Sequence, residues 1–467
     1  MRRTKIICTI GPKTSTPEAL LELAKGGMNI ARLNMSHGTH EWHGGLIDNI
    51  QAINSDGIYS IAVMLDTKGP EIRSGDLKQN IELKEGDIFT LTTRKQAEYE
   101  QNTTTVNYDG FLDDVEVGDV VLVDSGVINL EVIQKTDTDV VTKTLDSGII
   151  TSRRHLNIRG KSANLPPITE KDWLDIDFAI EKKVDFIALS FVNSAKVVKE
   201  LKDYLQKKGS DIHVVSKIES TDAVTNMHEI VEVSDGVMVA RGDLGAELPV
   251  EDVPIVQKDI VQYCRQLGTP VIVATQLLES MMVNPTPTRA EVTDIYYAVR
   301  QRTDCIMMSG ETANGNHPFK ALEVMSRVAV RTEEKFLEQS EVILKSSNDA
   351  KKEMSLGASV VANNIKAKAV IVFSNTGETA RQISQCRPNS QIFAFTYNES
   401  TQRKLSILWG TQSFSVNYSE NPEENIKQAL EILRDIKMIE SGDSIVLVSD
   451  LLSGNELIHS VQVRVVK

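Results

Sequence analysis

The sequence predicts a (β/α)8 TIM barrel interrupted by a small inserted β-barrel domain and followed by a C-terminal α/β domain. Three observations carry this. Short, uniformly apolar runs recur behind helix-start signals, one stretch alternates apolar and polar residues instead, and a second βα pattern follows a polar stretch near the end.

The apolar runs are Lys5–Ile10, Met28–Leu33, Ile61–Leu65, Asp185–Leu189, His213–Ser216, Gly236–Ala240, Pro270–Ala274 and Cys305–Met308. Strands this apolar belong to a parallel sheet covered on both faces, and eight βα units in series close into a barrel. Thr16-Pro17 before the first helix and Gly26-Gly27 after it follow the usual start and stop asymmetry. Thr169 with Asp172, and Thr288 with Glu291, are capping boxes. Between the third and fourth runs, "LKEGDIFTLT" and "VEVGDVVLVDSGVINLEV" alternate around Gly-Asp turns and predict antiparallel β structure. Lys345–Lys352 reads as a linker. "AKAVIVFSNTGETARQIS" and "DSIVLVSD" behind it read as α/β. The expected division is 1–71 and 158–340 for the barrel, 72–157 for the insert and 341–467 for the last domain.

Composition sets bounds on function. The chain has 467 residues, 41% hydrophobic and 25% charged, which suits a soluble multi-domain protein. A net charge of −14 argues against a nucleic-acid binder. No run is long enough to span a membrane, and no secretory leader is recognisable. Cys8, Cys264, Cys305 and Cys386 form no CxxC pair, which suits a reducing compartment. A cytoplasmic location is expected, or the plastid stroma if a transit peptide has been removed.

In a (β/α)8 barrel the carboxyl ends of the strands open on the active site, and here they carry polar residues of both signs. The second run ends in Arg32, Asn34, Ser36 and His37, and the third in Asp66, Thr67, Lys68, Glu71 and Arg73. The others end in Ser190, in Lys217 and Glu219, in Arg241, Gly242 and Asp243, in Thr275, and in Ser309 and Glu311. A single polar strand end is unremarkable at a solvent boundary. A ring of them must satisfy one another or a ligand, because unpaired buried charge is costly. Glu219 and Asp243 suit Mg2+ or Mn2+. Asn34, Ser36, Asp66 and Thr67, one carboxylate among neutral oxygens, suit a monovalent cation. Lys217, Arg32 and Arg73 supply positive charge for a phosphoryl group, and the amides of Gly242 and Asp243 are candidates for a substrate carboxylate. Together these parts resemble a phosphoryl-transfer site. Gly160-Lys161-Ser162 mimics the end of a P-loop, but His155 stands where its glycine is required.

"CTIGP", "ARLNMSHG", "LDTKGPEIR", "KIES", "MVARGDLGAELP", "VIVATQLLESM", "PTRAEVTD" and "IMMSGETANG" resemble the pyruvate kinase family in the same order, from Arg3 to about Phe336 and more weakly beyond. The resemblance implies phosphoryl transfer from phosphoenolpyruvate to ADP, giving ATP and pyruvate, with Mg2+ (or Mn2+) and K+ as cofactors. Lys217, Arg32 and Thr275 would be catalytic, Lys217 stabilising the phosphoryl group in flight and Thr275 helping to relay the proton that traps pyruvate. Arg32, Lys217, Gly242, Asp243, Thr275 and Ser309 would bind substrate. Asn34, His37, Arg73 and Arg154 would contact nucleotide. Glu219 and Asp243 would hold Mg2+, and Asn34, Ser36, Asp66 and Thr67 would hold K+. Glu71 goes with K+ dependence in this family.

"SRRHLNIRGKSANLPP" resembles the plastid and cyanobacterial branch and puts Arg154 where many members have a nucleotide-contacting lysine. Ser374, Asn375, Thr376, Gly377 and Thr379 resemble the family's effector phosphate loop, with a sugar phosphate or AMP as candidate effectors. Glu378 is expected to repel a sugar bisphosphate. A homotetramer is the family's usual assembly. A Mg2+-dependent pyruvate-enolate lyase and a non-catalytic metabolite sensor are the competing readings. The first has no need of Lys217, the K+ cluster or the insert, and the second predicts loss of at least one key residue.

Overall fold

The computed structural model describes residues 2–94, 101–124, 126–161, 165–336, 349–453 and 456–467. Eight parallel strands form a closed barrel: β1 (Lys5–Thr9), β2 (Ile30–Asn34), β3 (Ala62–Asp66), β4 (Phe186–Leu189), β5 (His213–Ile218), β6 (Gly236–Ala240), β7 (Val271–Ala274) and β8 (Cys305–Met308). They pair in sequential order, with β1 closing on β8. Alternation along each strand explains the apolar runs. Ile6 and Cys8 pack outward under the helices, while Ile7, Met64, Phe186 and Met238 fill the interior. The expected caps form: Thr16 accepts from the Ala19 amide, and both capping boxes are made.

The strand ends differ from the sequence reading where they matter most. β5 continues through Ser216 and Lys217 to Ile218, and Asn34 and Asp66 are the last residues of β2 and β3. Polar side chains that pair inside the barrel mouth allow the ladder to continue past the apolar run. β6 behaves otherwise: its last residue leads straight into the helix Arg241–Glu247.

The inserted residues build the expected small β domain. Among the described residues they form a seven-stranded sheet and a separate two-stranded one. Ile88–Thr92 pairs parallel with Thr103–Thr105, against the antiparallel expectation. One apolar core nonetheless serves both sheets, with Leu83 and Ile150 joining Phe89, Leu130 and Leu156. The strand His155–Ile158 returns the chain to the barrel and pairs with Ile72–Arg73.

The last domain has β9 (Ala369–Phe373), β10 (Gln391–Thr396), β11 (Thr411–Ser415), β12 (Ser444–Ser453) and β13 (Glu456–Val465). The first four run parallel, and β13 returns antiparallel to β12. The expected linker Lys345–Lys352 and the boundary at 340/341 fall largely outside the described residues, but Ala350–Lys352 already belong to the helix Ala350–Asn364. This domain packs against the barrel at the end away from the polar ring. Leu405, Ile407 and Leu408 join the barrel's interior cluster. Arg387 pairs with Asp304 at 2.8 Å and Arg403 with Asp185 at 2.9 Å.

Candidate active site

The structure gathers the polar strand ends at one mouth. Lys217, inside β5, donates to Ser190 Oγ at 2.7 Å, with Asp66 Oδ1 at 3.2 Å and Glu219 Oε2 at 3.1 Å. Asp66 accepts from Arg32 Nε at 2.6 Å, and Arg32 Nη1 donates to Thr9 Oγ1 at 2.9 Å. All are buried. Burial works against the ionised form of Asp66, but Arg32 and Lys217 outweigh it and hold its carboxyl below the usual range. Burial also disfavours the Lys217 ammonium. Asp66, Glu219 and Asp243 overcome this and keep it charged.

Glu219 is the strained member of the group. Burial raises its pKa, Asp243 raises it further, and Lys217 opposes both. Its Oε1 accepts from the Phe191 amide at 2.8 Å, while the buried Oε2 faces the Lys217 ammonium at 3.1 Å without an aligned hydrogen bond. A buried carboxylate answered by a single ammonium, beside a second carboxylate, is a site that a divalent cation would stabilise. The donor set therefore fits Mg2+ or Mn2+.

The proposed K+ ligands converge as well. Asn34 lies in register with Asp66, and its Oδ1 accepts from the Ser36 amide at 3.1 Å. Thr67 Oγ1 accepts from the Ser190 amide at 3.0 Å, and Thr67 O accepts from Ser190 Oγ at 2.7 Å. The group is all oxygen with one carboxylate, which two cations already engage, so it fits a monovalent ion better than a divalent one. Glu71 Oε2 accepts from Arg73 Nε at 2.8 Å, with Lys68 at 3.4 Å. His37 lies exposed at the rim, and its carbonyl accepts from the His43 ring.

Backbone strain marks two spokes. Thr275 and Gln276, after β7, have φ of 67° and 57°, and Phe191, after β4, has φ of 52°. Such values are unfavourable for a β-branched or bulky residue and persist where surrounding contacts impose them. Arg241 imposes them at β7: its guanidinium donates to the Ala274 and Thr275 carbonyls and to Asp294. That is why a guanidinium follows the core strand β6. Gly69 must be glycine: its φ is 70°, and a Cβ at this position would meet Phe191 Cδ2 at only 2.6 Å.

Three of the expected groups already have partners within the protein. The Gly242 amide donates to Thr275 Oγ1 at 2.8 Å, which leaves only the Asp243 amide, in the helix's first turn, for a substrate carboxylate. The Thr275 hydroxyl also donates to the Ala274 carbonyl at 2.7 Å, so a relay role requires it to leave that bond. Arg154 bonds Thr151 and pairs with Asp124 at 3.2 Å, both within the insert. Ser309 closes β8, its amide donating to Glu311 Oε2 at 2.7 Å. Thr9 and the structural role of Ser190 were missed. Thr9 sits in "CTIGP" at the end of β1, the one spoke left without an assigned residue.

The effector-like loop is away from this mouth. Ser374 follows β9, and Gly377, with φ of 82°, leads into the helix Glu378–Gln385. The Asn375 amide group donates to the Tyr397 hydroxyl, Thr376 Oγ1 accepts from the Glu378 amide at 3.4 Å, and Thr379 is buried. Glu378 pairs with Arg381 at 3.0 Å, which weakens the expected repulsion of a sugar bisphosphate. In the P-loop mimic, Lys161 pairs with Asp119 at 2.7 Å, and Ser162 lies outside the described residues.

Family models for "Pyruvate kinase, barrel domain" and "Pyruvate kinase, alpha/beta domain" match residues 1–322 and 352–458. The chain is 48% identical to pyruvate kinase isozyme G, chloroplastic, of Nicotiana tabacum, over 100% of this chain and 84% of that protein. It is 47% identical to plastidial pyruvate kinase 2 of Arabidopsis thaliana (99% and 81%) and 42% identical to the pyruvate kinase of Bacillus licheniformis (96% and 77%). The crystal structure of a pyruvate kinase from Cryptosporidium parvum superposes with a TM-score of 0.92 at 37% identity, covering 99% of this chain and 96% of that one.

Proposed function

The chain belongs to the pyruvate kinase family and is a phosphotransferase; on that premise we propose that it transfers the phosphoryl group of phosphoenolpyruvate to ADP, giving ATP and pyruvate, with dependence on Mg2+ and K+. In the reaction the bond from phosphorus to the enol oxygen breaks, a bond to a β-phosphate oxygen of ADP forms, and the enolate carbon takes up a proton. The carrying observation is Lys217 Nζ held between Asp66 Oδ1 and Glu219 Oε2, within 3.2 Å of each, with Asp243 adding to the negative charge around it.

Glu219 and Asp243 would hold the divalent ion, which would supply positive charge to neutralise the phosphoryl group. Asn34, Ser36, Asp66 and Thr67 would hold K+. Lys217 and Arg32 then place fixed positive charge along the path of the phosphoryl group, where little covalent work is left for the protein. The Asp243 amide and Ser309 would orient the substrate's carboxylate end, and Arg73, His37 and Asn34 would contact the nucleotide. Thr275 would carry the proton to the enolate carbon after releasing the Ala274 carbonyl.

Ser374, Asn375, Thr376, Gly377 and Thr379 are proposed as an effector phosphate loop for a sugar phosphate or AMP. A homotetramer is proposed. The edge strand β13 supports self-association, since Val461, Val463 and Val465 lie exposed along one face of it. The chloroplastic names of the plant relatives support the plastid stroma over the cytosol. The test is a coupled assay of pyruvate and ATP formation with and without Mg2+ and K+, across sugar phosphates and AMP. ATP formation requiring both ions supports the proposal. Cleavage of an oxo acid without ADP-dependent ATP formation overturns it.

A further inference from the structure

On the insert's side of the nucleotide cleft, strand parity decides which residue faces the ligand. The strand His155–Ile158 alternates half-buried and buried, and Leu156 and Ile158 belong to the insert's core. Successive side chains of a strand point to opposite faces. Arg154 therefore shares its face with Leu156 and Ile158, which is why it turns to Asp124 and Thr151. His155 and Asn157 share the other face; the whole strand, Leu156 and Ile158 included, borders the cleft between insert and barrel, and His155 and Asn157 are its half-buried members.

Two further observations bear on that face. His155 lies directly across from Arg73, so the two side chains project on the same side. The imidazole meets Phe191 edge-on at 6.5 Å and feels both Glu71 and Asp243, which puts it near the proposed metal carboxylate. Its ring makes no hydrogen bond among the described residues. Burial lowers its pKa, so near neutral pH it offers one N–H donor and one acceptor. Asn157 Oδ1 is a buried acceptor with no partner, and buried polar atoms of this kind call for one.

We propose that His155 and Asn157 form the insert's recognition face for the nucleoside diphosphate, with His155 donating to a phosphate oxygen beside Arg73 and Asn157 Oδ1 accepting from a ribose hydroxyl one pleat farther along. This rests on the reading of ADP as phosphoryl acceptor. Arg154 acts within the insert and is not the nucleotide contact.

The test compares H155A, H155Q, N157A and R154A with the wild-type enzyme, using steady-state kinetics and calorimetric titration with ADP in the presence of Mg2+. H155A raises KM and Kd for ADP about 10- to 100-fold, as loss of a hydrogen bond to a charged group requires, and N157A raises them about 3- to 10-fold. KM for phosphoenolpyruvate stays near wild type in both. H155Q, which keeps a donor, recovers most of the loss and guards against a folding artefact, with thermal melts run alongside. R154A changes ADP affinity less than either. A tenfold loss of ADP affinity in R154A with none in H155A overturns the proposal. A wild-type enzyme that makes no ATP but still binds ADP, with binding lost in H155A, overturns the proposed reaction and leaves this contact standing.

Discussion

Lys217→Met removes the buried cation between Asp66 and Glu219 while keeping a side chain of similar length. The ammonium lies 3.2 Å from Asp66, 3.1 Å from Glu219 and 2.7 Å from Ser190. A unit charge about 3 Å from an opposite one is worth about 5 kcal/mol at an effective dielectric constant of about 20. The charge on a phosphoryl group in transit is spread over its equatorial oxygens, so the part gained only in the transition state is smaller, about 3–5 kcal/mol. That predicts a fall in kcat of about a thousandfold. Asp66 keeps Arg32 as its partner at 2.6 Å, so the pocket does not lose all its charge balance. The assay is steady-state kinetics at saturating Mg2+ and K+, with a melting curve to confirm folding. KM for phosphoenolpyruvate should change little, because the lost interaction belongs to the transition state. A folded variant with kcat near wild type would refute the reasoning.

Glu71→Lys should retain most of its rate without K+, because the new ammonium brings charge to the place where Glu71 now holds Arg73 at 2.8 Å; a rate still fully K+-dependent counts against the assignment. Gly69→Ala should destabilise by about 1–3 kcal/mol and lower kcat, since its Cβ would lie 2.6 Å from Phe191 and 2.9 Å from the Cβ of Ser190, the residue that receives the Lys217 hydrogen bond; an unchanged melting temperature contradicts this. Lys5 is buried against the last domain, donating to the Thr411 carbonyl, and burial lowers its pKa to about 8. Below that pH both folded and unfolded chains are protonated and the full burial cost is present. Between about 8 and 10.5 only the unfolded chain holds the proton, so this group makes stability rise with pH, by about 3 kcal/mol in all. In urea unfolding, the stability of Lys5→Met relative to wild type should therefore be greater at pH 7.5 than at pH 10. Equal differences at the two pH values count against it.

The barrel was legible because the cost of burying polar groups on both faces of a strand leaves a plain apolar signature, and because capping boxes such as Thr169 with Asp172 mark helix starts locally. The ring of site residues followed from position at the strand ends. What escaped depended on pairing across space. β5 runs through Lys217 because Ser190, Asp66 and Glu219 receive its ammonium. Occupation of the Gly242 amide depends on Thr275, which adopts a backbone conformation that its residue type disfavours. The insert's parallel pairing of Ile88–Thr92 with Thr103–Thr105 leaves no local trace. The alternation in "RRHLNI", with Leu156 and Ile158 on the core face, is legible in the sequence, but which partners Arg154 takes depends on Asp124 and Thr151 across space.

The most direct measurement is a crystal structure with Mn2+ and a phosphoenolpyruvate analogue, read by anomalous scattering. The metal peak should lie bound to Glu219 Oε2 and an Asp243 oxygen, with the analogue's phosphoryl group between it and Lys217 Nζ. A metal peak elsewhere, or an analogue seated away from Lys217, would contradict the account.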